Sequence, residues 1–419
     1  MDTLQRSFEK QIEKSFTFPV IGTKLIKKRL EKKGVFLNKD QIDKLEKKLQ
    51  NINGNTLNFS FDLDDEQYKL LGVSKDEAID IDLSGADQEI DEIYQEFVAK
   101  LGASIPEIIN KMTSPILSSL KKKASAMLKE RRSEMKHFER RLNNDWKKPL
   151  DMFEMFLAMA FEAGDEFNSE FRKDEKESGN YVLEVLTRLH ARACQIASEI
   201  LVLIKSGYAD GAHARWRSLH EIAVVGSFIK MHGAEVAERY LLHDNIESLK
   251  AANLHQKYYE ALGESPIPQD EYDSIKAVSE QLIARFGNSY KSDYGWASSA
   301  LNKEKPNFSD IEENAKLDYY RPYYKLASHN VHANPKGVMF KLGLFPETQN
   351  ILLAGPSNTG FTDPAYGTVI SLGFITITLI TTKPTIDNLV VSNILLKLES
   401  EIGEEFLKVQ EEIENRNDT

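Results

Sequence analysis

A chain of 419 residues exceeds the size of most single domains, and its 41% hydrophobic and 28% charged residues are typical of folded globular proteins rather than disordered ones. The net charge of −11 excludes a protein that coats nucleic acid nonspecifically, because phosphate binding needs a cationic surface, although a local basic patch remains compatible with it. The single cysteine, Cys194, cannot form an intramolecular disulfide, and together with an N-terminus that lacks a secretory pattern it favours the cytoplasm.

Residues 1–85 are rich in Lys and Asn and are interpreted as a small N-terminal module. The segment 41–49 follows Asn38, a residue that caps helices well, and this predicts a short helix. Residues 57–63 alternate apolar and polar side chains, which predicts a β-strand. The module is therefore predicted to be α+β, and the turn-forming residues 83–87 mark its end.

Residues 86–179 are predicted to be a helical linking region, because apolar side chains recur at helical spacing from Ile90 onward. Its segment 121–141 contains nine Lys or Arg against three Glu. Two interpretations stay open for this basic helix. In the first, it is a solvated helix with ion pairs along its surface. In the second, it is a binding surface, and its cations Lys122, Arg131 and Arg132 bind RNA or an acidic partner.

Residues 180–419 are predicted to form a C-terminal helical bundle, which makes the fold mainly α. The apolar patterns and caps place helices at 180–206, 211–232, 317–334, 364–382 and 387–414. Asp210 is expected to cap the second of these. The stretch 366–382 resembles a membrane span, but it is short and rich in Thr and Ser, so a buried core helix and no membrane partner are expected.

Polar side chains stand out on two of these helices. Arg217, His220 and Glu221 lie within about one turn of each other on the otherwise apolar helix 211–232. Burying such charges is costly unless they pair or line a cavity, so they are interpreted as a structural ion pair or a site. On the later helix, Ser328 and His332 are one turn apart, and we predict that the two polar faces converge.

This set of residue types suits cleavage of a phosphodiester without metal. A histidine such as His332 can move the proton of a 2'-hydroxyl, while an arginine such as Arg217 stabilises the charged transition state. The turn after His332 carries Lys336, which is placed to meet a phosphate. The sequence contains no phosphate-binding glycine loop and no metal-ligand motif, so neither a cofactor nor a metal is expected.

The segment from Gly207 to Glu221, together with Tyr324 to His332, resembles the bacterial "domain of unknown function 5677" family over about residues 180–382. The family's Arg-x-x-x-Glu helix matches Arg217 and Glu221, and its later Ser-x-x-x-His helix matches Ser328 and His332. The resemblance implies kinship with helical nucleotide-binding and RNase domains of the HEPN kind, which occur in toxin and phage-defence systems.

Two functions follow as hypotheses. The first is a metal-independent RNase-like effector of a toxin or defence system, in which Arg217 binds the scissile phosphate and His332 is the acid-base residue. Glu221 would orient Arg217 or the histidine, while Ser328 and His220 would support them.

The second hypothesis is a non-catalytic module that binds a nucleotide, RNA or a protein partner, including another copy of itself. The same residues would then form a structural network. A catalytic cluster should open onto a cleft, whereas a structural one should be enclosed and internally hydrogen-bonded.

Overall fold

The computed structural model describes residues 4–51, 64–74, 77, 81, 83–171, 173, 179–348 and 350–417. Within these ranges the regular structure is helical and includes no β-strand, which confirms the mainly α prediction. The strand predicted for residues 57–63 lies outside the described residues. The described remainder of residues 1–85 forms helices, so it gives the α+β description of that module no support.

The α-helices are numbered in chain order, with short 3₁₀ turns between some of them. They are α1 (Leu4–Ser15), α2 (Phe18–Lys32), α3 (Lys39–Gln50), α4 (Asp65–Leu71), α5 (Asp87–Asp145), α6 (Lys147–Phe171), α7 (Tyr181–Lys205), α8 (Ala209–His232), α9 (Ala234–Leu242), α10 (Asp244–Leu262), α11 (Gln269–Phe286), α12 (Ser298–Leu301), α13 (Phe308–Asn314), α14 (Arg321–Val331), α15 (Pro335–Met339), α16 (Thr362–Ile380) and α17 (Ile386–Asn417).

The chain forms two compact units, residues 1–129 and 130–419, and the division falls within α5. The organisation into residues 1–85, 86–179 and 180–419 stays a prediction. In the first unit, α2 and α3 enclose a small apolar core that includes Leu30, Val35 and Leu45. The predicted cap of α3 is present, because Asn38 and Gln41 each accept the other's backbone N–H.

The second unit is a helical bundle whose core is formed largely by α6, α7, α8, α16 and α17. Aromatic side chains from α6, α16's N-terminal end and α17 fill one part of it, and Trp146 packs edge-on against Phe361 at 5.1 Å between ring centroids. Helix α16 is long and apolar enough to cross a membrane, but 72% of its most apolar window is buried against its neighbours. That burial is typical of the core helix predicted for this segment.

Helices α7 and α8 form the expected antiparallel pair. Asn180 caps α7 by accepting the backbone N–H of Leu183, and Gly207 makes the turn with a φ of +86°. Asp210 lies inside the first turn of α8 rather than at its cap, and its carboxylate accepts the backbone N–H of Leu342 at 3.1 Å. This bond ties the segment after α15 to the beginning of α8.

The helix predicted for residues 317–334 is present as α14 but is shorter than predicted. A 3₁₀ turn precedes α14, which ends at Val331, and His332 has an extended backbone. Asn334 then caps the short helix α15 by accepting the backbone N–H of Gly337 at 2.9 Å. Pro335 disfavours a helical conformation for Asn334, whose backbone is extended, and this separates α15 from α14.

Candidate functional site

The polar faces of α8 and α14 meet at Arg217, Glu221 and Tyr324, which we call the Arg217 cluster. Arg217 Nη2 lies 3.2 Å from Glu221 Oε1, and the Tyr324 hydroxyl donates to the same oxygen at 2.5 Å. The Arg217 guanidinium also stacks over the Tyr324 ring, 4.9 Å from the Cζ atom to the ring centroid. The two helices therefore do bring polar side chains together, over a separation of 103 residues between Glu221 and Tyr324.

The Arg217 cluster is partly open to solvent. The side chains of Arg217 and Glu221 are 27% and 33% exposed. The Nε atom of Arg217 is buried and has no hydrogen-bond partner among the described residues. Burial, and then the neighbouring Glu221 carboxylate, raise the pKa of Tyr324 above its usual value, so its hydroxyl stays protonated and donates. The cluster thus holds a guanidinium with unused donor capacity at the edge of the bundle.

His220 lies beside this cluster but is enclosed. Its Nε2 is 2.8 Å from Glu312 Oε1, and the two side chains are 2% and 0% exposed. The other Glu312 oxygen forms an ion pair with Arg321, whose side chain is 25% exposed. Aromatic rings surround the imidazole, with centroids 5.4 to 6.2 Å away: Trp216, Phe308, Tyr320 and Tyr324. We call His220, Glu312 and Arg321 the His220 network.

The geometry of the His220 network is that of a supporting structure. A buried carboxylate needs partners, and Glu312 has one on each oxygen. The network fixes α13 and the first turn of α14 against α8, and so sets where Tyr324 approaches Arg217. Sequence analysis had not singled out Glu312 or Arg321. Their signal was weak, because α13 has only Phe308 and Ile311 to define its apolar face, although Glu312 lies four residues after Phe308 on that face.

Ser328 and His332 are not part of the Arg217 cluster. The Ser328 hydroxyl donates to the Tyr324 carbonyl at 2.7 Å, so its proton is used within its own helix. His332 is exposed just beyond the end of α14. Because α14 begins near Glu221 and the chain later reaches Asp210, it runs antiparallel to α8. The predicted convergence of His332 with Arg217 and Glu221 is therefore not seen: Arg217 and Glu221 pair with each other, and no contact joins His332 to either of them in the described structure.

His329, the other histidine of α14, bonds through Nδ1 to the Asn334 side-chain amide at 2.8 Å. It thus braces the turn between α14 and α15. Across the described ranges, no three His, Cys, Asp or Glu side chains are grouped in a way that would hold a metal ion.

The cations proposed for RNA or partner binding are all exposed. Lys122, Arg131 and Arg132 lie on α5, and Lys336 lies on α15 with its ammonium 5.2 Å from the centroid of the Phe340 ring. Exposure is what such a role requires, and the role itself stays a prediction.

The part of the chain that contains the Arg217 cluster and the His220 network is similar to a known protein family. Residues 183–349 match the model of a family of unknown function, DUF5677. Neither a curated protein nor a solved structure shows significant similarity to the chain. The match covers α7 through α15 and ends before α16, whereas the resemblance noted in the sequence extended to about residue 382.

Proposed function

Residues 183–349 belong to the DUF5677 family, and we propose that they form a binding module for a phosphate-bearing ligand, a nucleotide or RNA. Arg217 is the anchor in this proposal. The observation that carries it is the state of its guanidinium, which is held in place by Glu221 and Tyr324 yet remains partly exposed with an unpartnered Nε. A guanidinium presents several N–H donors in a rigid fork that fits a phosphate.

Exposed aromatic side chains on the segment that carries Tyr324 support a nucleotide rather than an inorganic anion. Tyr319 and Tyr323 are 60% and 51% exposed at the beginning of α14, and Tyr319 packs against Tyr320 at 4.3 Å between centroids. Exposed aromatic rings beside an arginine provide stacking surfaces for bases. Glu221 opposes an incoming anion, but its charge is already engaged by Arg217 and by the Tyr324 hydroxyl.

The test is a binding measurement on the full chain. Arg217→Gln should weaken the binding of ATP or of a short single-stranded RNA by about tenfold or more, since a charge-assisted hydrogen bond contributes about 1.5–3 kcal/mol. Fluorescence anisotropy at fixed salt measures this directly. The matched control is Arg215→Gln, because Arg215 lies on the same helix and pairs with Glu199 outside the cluster.

Arg215→Gln should leave the affinity within about twofold, and both variants should fold, as judged by circular dichroism. Equal losses in the two variants would indicate a general charge effect and contradict a role for Arg217. Absence of binding by the unaltered chain to either ligand would overturn the proposal.

The second candidate is metal-independent RNA cleavage, which would make the chain an effector of the toxin or phage-defence type. The observation that favours it is His332, an exposed imidazole that no described side chain engages and that follows α14 directly. In this mechanism His332 takes the 2'-hydroxyl proton, and the 2'-oxygen attacks phosphorus while the bond to the 5'-oxygen breaks. The leaving 5'-oxygen takes a proton from water, and Arg217 stabilises the phosphorane-like charge. The ligand must bridge the two residues, since they do not touch.

Cleavage of this kind should persist in EDTA and leave a 2',3'-cyclic phosphate, which mass spectrometry of a model RNA detects. His332→Ala should abolish cleavage while RNA binding through Arg217 is retained. His255→Ala, a change at a surface histidine of α10, should leave cleavage unaltered. A requirement for magnesium or manganese, or full activity in His332→Ala, would rule this chemistry out and leave the binding module.

A further inference from the structure

Helix α5 exposes an unusual number of large apolar side chains. Eleven of them are between 36% and 59% exposed along this helix. At about 100° per residue, nine of the eleven fall within one stripe roughly 120° wide. We call these nine the α5 stripe: Ile90, Tyr94, Val98, Ile105, Ile109, Met112, Ile116, Leu120 and Met127. The remaining two, Leu117 and Leu128, lie about 60–80° beyond the edge of the stripe.

The area of the α5 stripe is close to that of one side of a protein–protein interface. Summed over the nine side chains, the exposed fractions correspond to roughly 700 Å², close to the about 800 Å² that each partner contributes to a standard protein interface. From Tyr94 to Met112 the apolar positions 94, 98, 101, 105, 108 and 112 alternate in steps of four and three. That spacing is typical of a helix that packs along a second helix.

Charge is distributed unevenly on either side of the stripe's centre. Residues 87–100 contain five carboxylates and one lysine, whereas residues 121–129 contain four lysines and no carboxylate. Glu89 and Glu92 pair with cations of α2, so Asp87, Asp91 and Glu96 carry the negative charge that remains for a partner. The intervening residues 101–120 hold only Glu107 and Lys111, which pair with each other at 2.7 Å. A helix that is acidic at one end, neutral in the middle and basic at the other end complements a reversed copy of itself.

We propose that two copies of this chain pair antiparallel along the α5 stripe, about a two-fold axis that passes between residues 110 and 111. In this register Leu101 lies level with Leu120, Ile105 with Ile116, and Ile109 with Met112 of the other copy. The two prolines of the helix, Pro106 and Pro115, also lie level with each other. The acidic end of each copy then lies beside the lysines of the other, as an isologous dimer requires.

Two other occupants fit less well. A parallel pair would place Lys121, Lys122 and Lys123 beside the same residues of the partner, and like charges repel. An anionic membrane surface would attract these lysines, but it would repel Asp91 and Glu96, which are exposed on the same helix. Of the three partners, the antiparallel copy is the one that places opposite charge beside both the acidic end and the basic end of α5.

The oligomeric state of the full chain tests the proposal, measured by sedimentation velocity at micromolar concentration. The unaltered chain should be a dimer, and Ile116→Glu should weaken dimerisation at least tenfold. Leu117→Glu is the matched control: its side chain is 48% exposed against 44% for Ile116, but it lies off the stripe. Because both positions are exposed, neither change should affect folding.

A monomeric unaltered chain would overturn the proposal, and so would equal dissociation in the two variants. Sedimentation of the monomeric chain with vesicles of an anionic phospholipid, lost in Ile116→Glu, would assign the stripe to a membrane surface instead.

Disulfide trapping tests the direction of the pair in a Cys194→Ser background. Ile109→Cys should cross-link to its own copy, because the two cysteines would be offset by three residues along the axis. Leu120→Cys should not, since its two copies would be about 28 Å apart at 1.5 Å per residue. Cross-linking of both variants would indicate a parallel pair and overturn the antiparallel arrangement.

Discussion

Among single residues, Glu399 on α17 carries the clearest consequence for stability. It is half-buried, and burial raises the pKa of its carboxyl group from near 4.5 to about 7. A carboxyl whose pKa is raised in the folded state favours folding while it is protonated. Its contribution is fully present below pH 4.5 and is lost as the pH rises through 7.

Glu399→Gln should therefore stabilise the chain above neutrality and change little in acid. We expect a gain of about 2 kcal/mol in the free energy of unfolding at pH 8 and almost none at pH 4.5, because the glutamine carries no charge to desolvate. Urea unfolding at the two pH values measures both. Glu401→Gln, at an exposed position on the same helix, is the control. A gain of equal size at both pH values would show that the charge of Glu399 is not the cause.

At the same scale, the sequence predicted part of the candidate site. Arg217 and Glu221 stood out because they interrupt an apolar helix, and the structure pairs them. Glu312 and Arg321 did not stand out, because their burial depends on how α13 and α14 pack against α8. His332 was expected beside Arg217 from its helical spacing, but the helix ends one residue before it. Spacing along a helix predicts position only while the helix continues.

Among the elements, the junction of α14 and α15 depends on a close approach of two backbone segments. A Cβ atom added at Gly337 would lie 2.0 Å from the His329 carbonyl oxygen, whereas one added at Gly355 would meet nothing within 4 Å. The carbonyl is backbone and cannot rotate away as a side chain can. Only glycine fits at position 337 without displacing the end of α14.

Gly337→Ala should therefore lower the free energy of unfolding by about 1–3 kcal/mol, as overpacking of a tight contact does. Hydrogen exchange should show the loss first in α14 and α15, since these are the segments that must separate. Gly355→Ala serves as the control and should leave both measurements nearly unchanged. Faster exchange that is spread evenly over the bundle would argue against a local clash.

The sequence predicted helices well where caps and apolar periodicity agree. The predicted helices at 180–206 and 364–382 are found at Tyr181–Lys205 and Thr362–Ile380. The helix predicted at 317–334 is present as α14 but is shorter, because a 3₁₀ turn takes up its first residues and the chain leaves the helix after Val331. The apolar spacing located this helix but not its ends.

For the whole molecule, the mainly α architecture could be predicted because nearly every apolar pattern in the chain has helical spacing. The division into two compact units at residue 129 could not be predicted, because it lies within the uninterrupted helix α5. A boundary inside a helix leaves no turn residues and no change of periodicity to mark it. Its position is set by which side chains pack together.

The His220 network limits which single substitutions this sequence can tolerate. Replacement of Glu312 alone would leave Arg321 without its carboxylate and the buried His220 without its hydrogen bond. Replacement of either partner alone would leave the Glu312 charge incompletely matched. A change at one of the three positions is therefore expected to destabilise the chain unless the other two change with it.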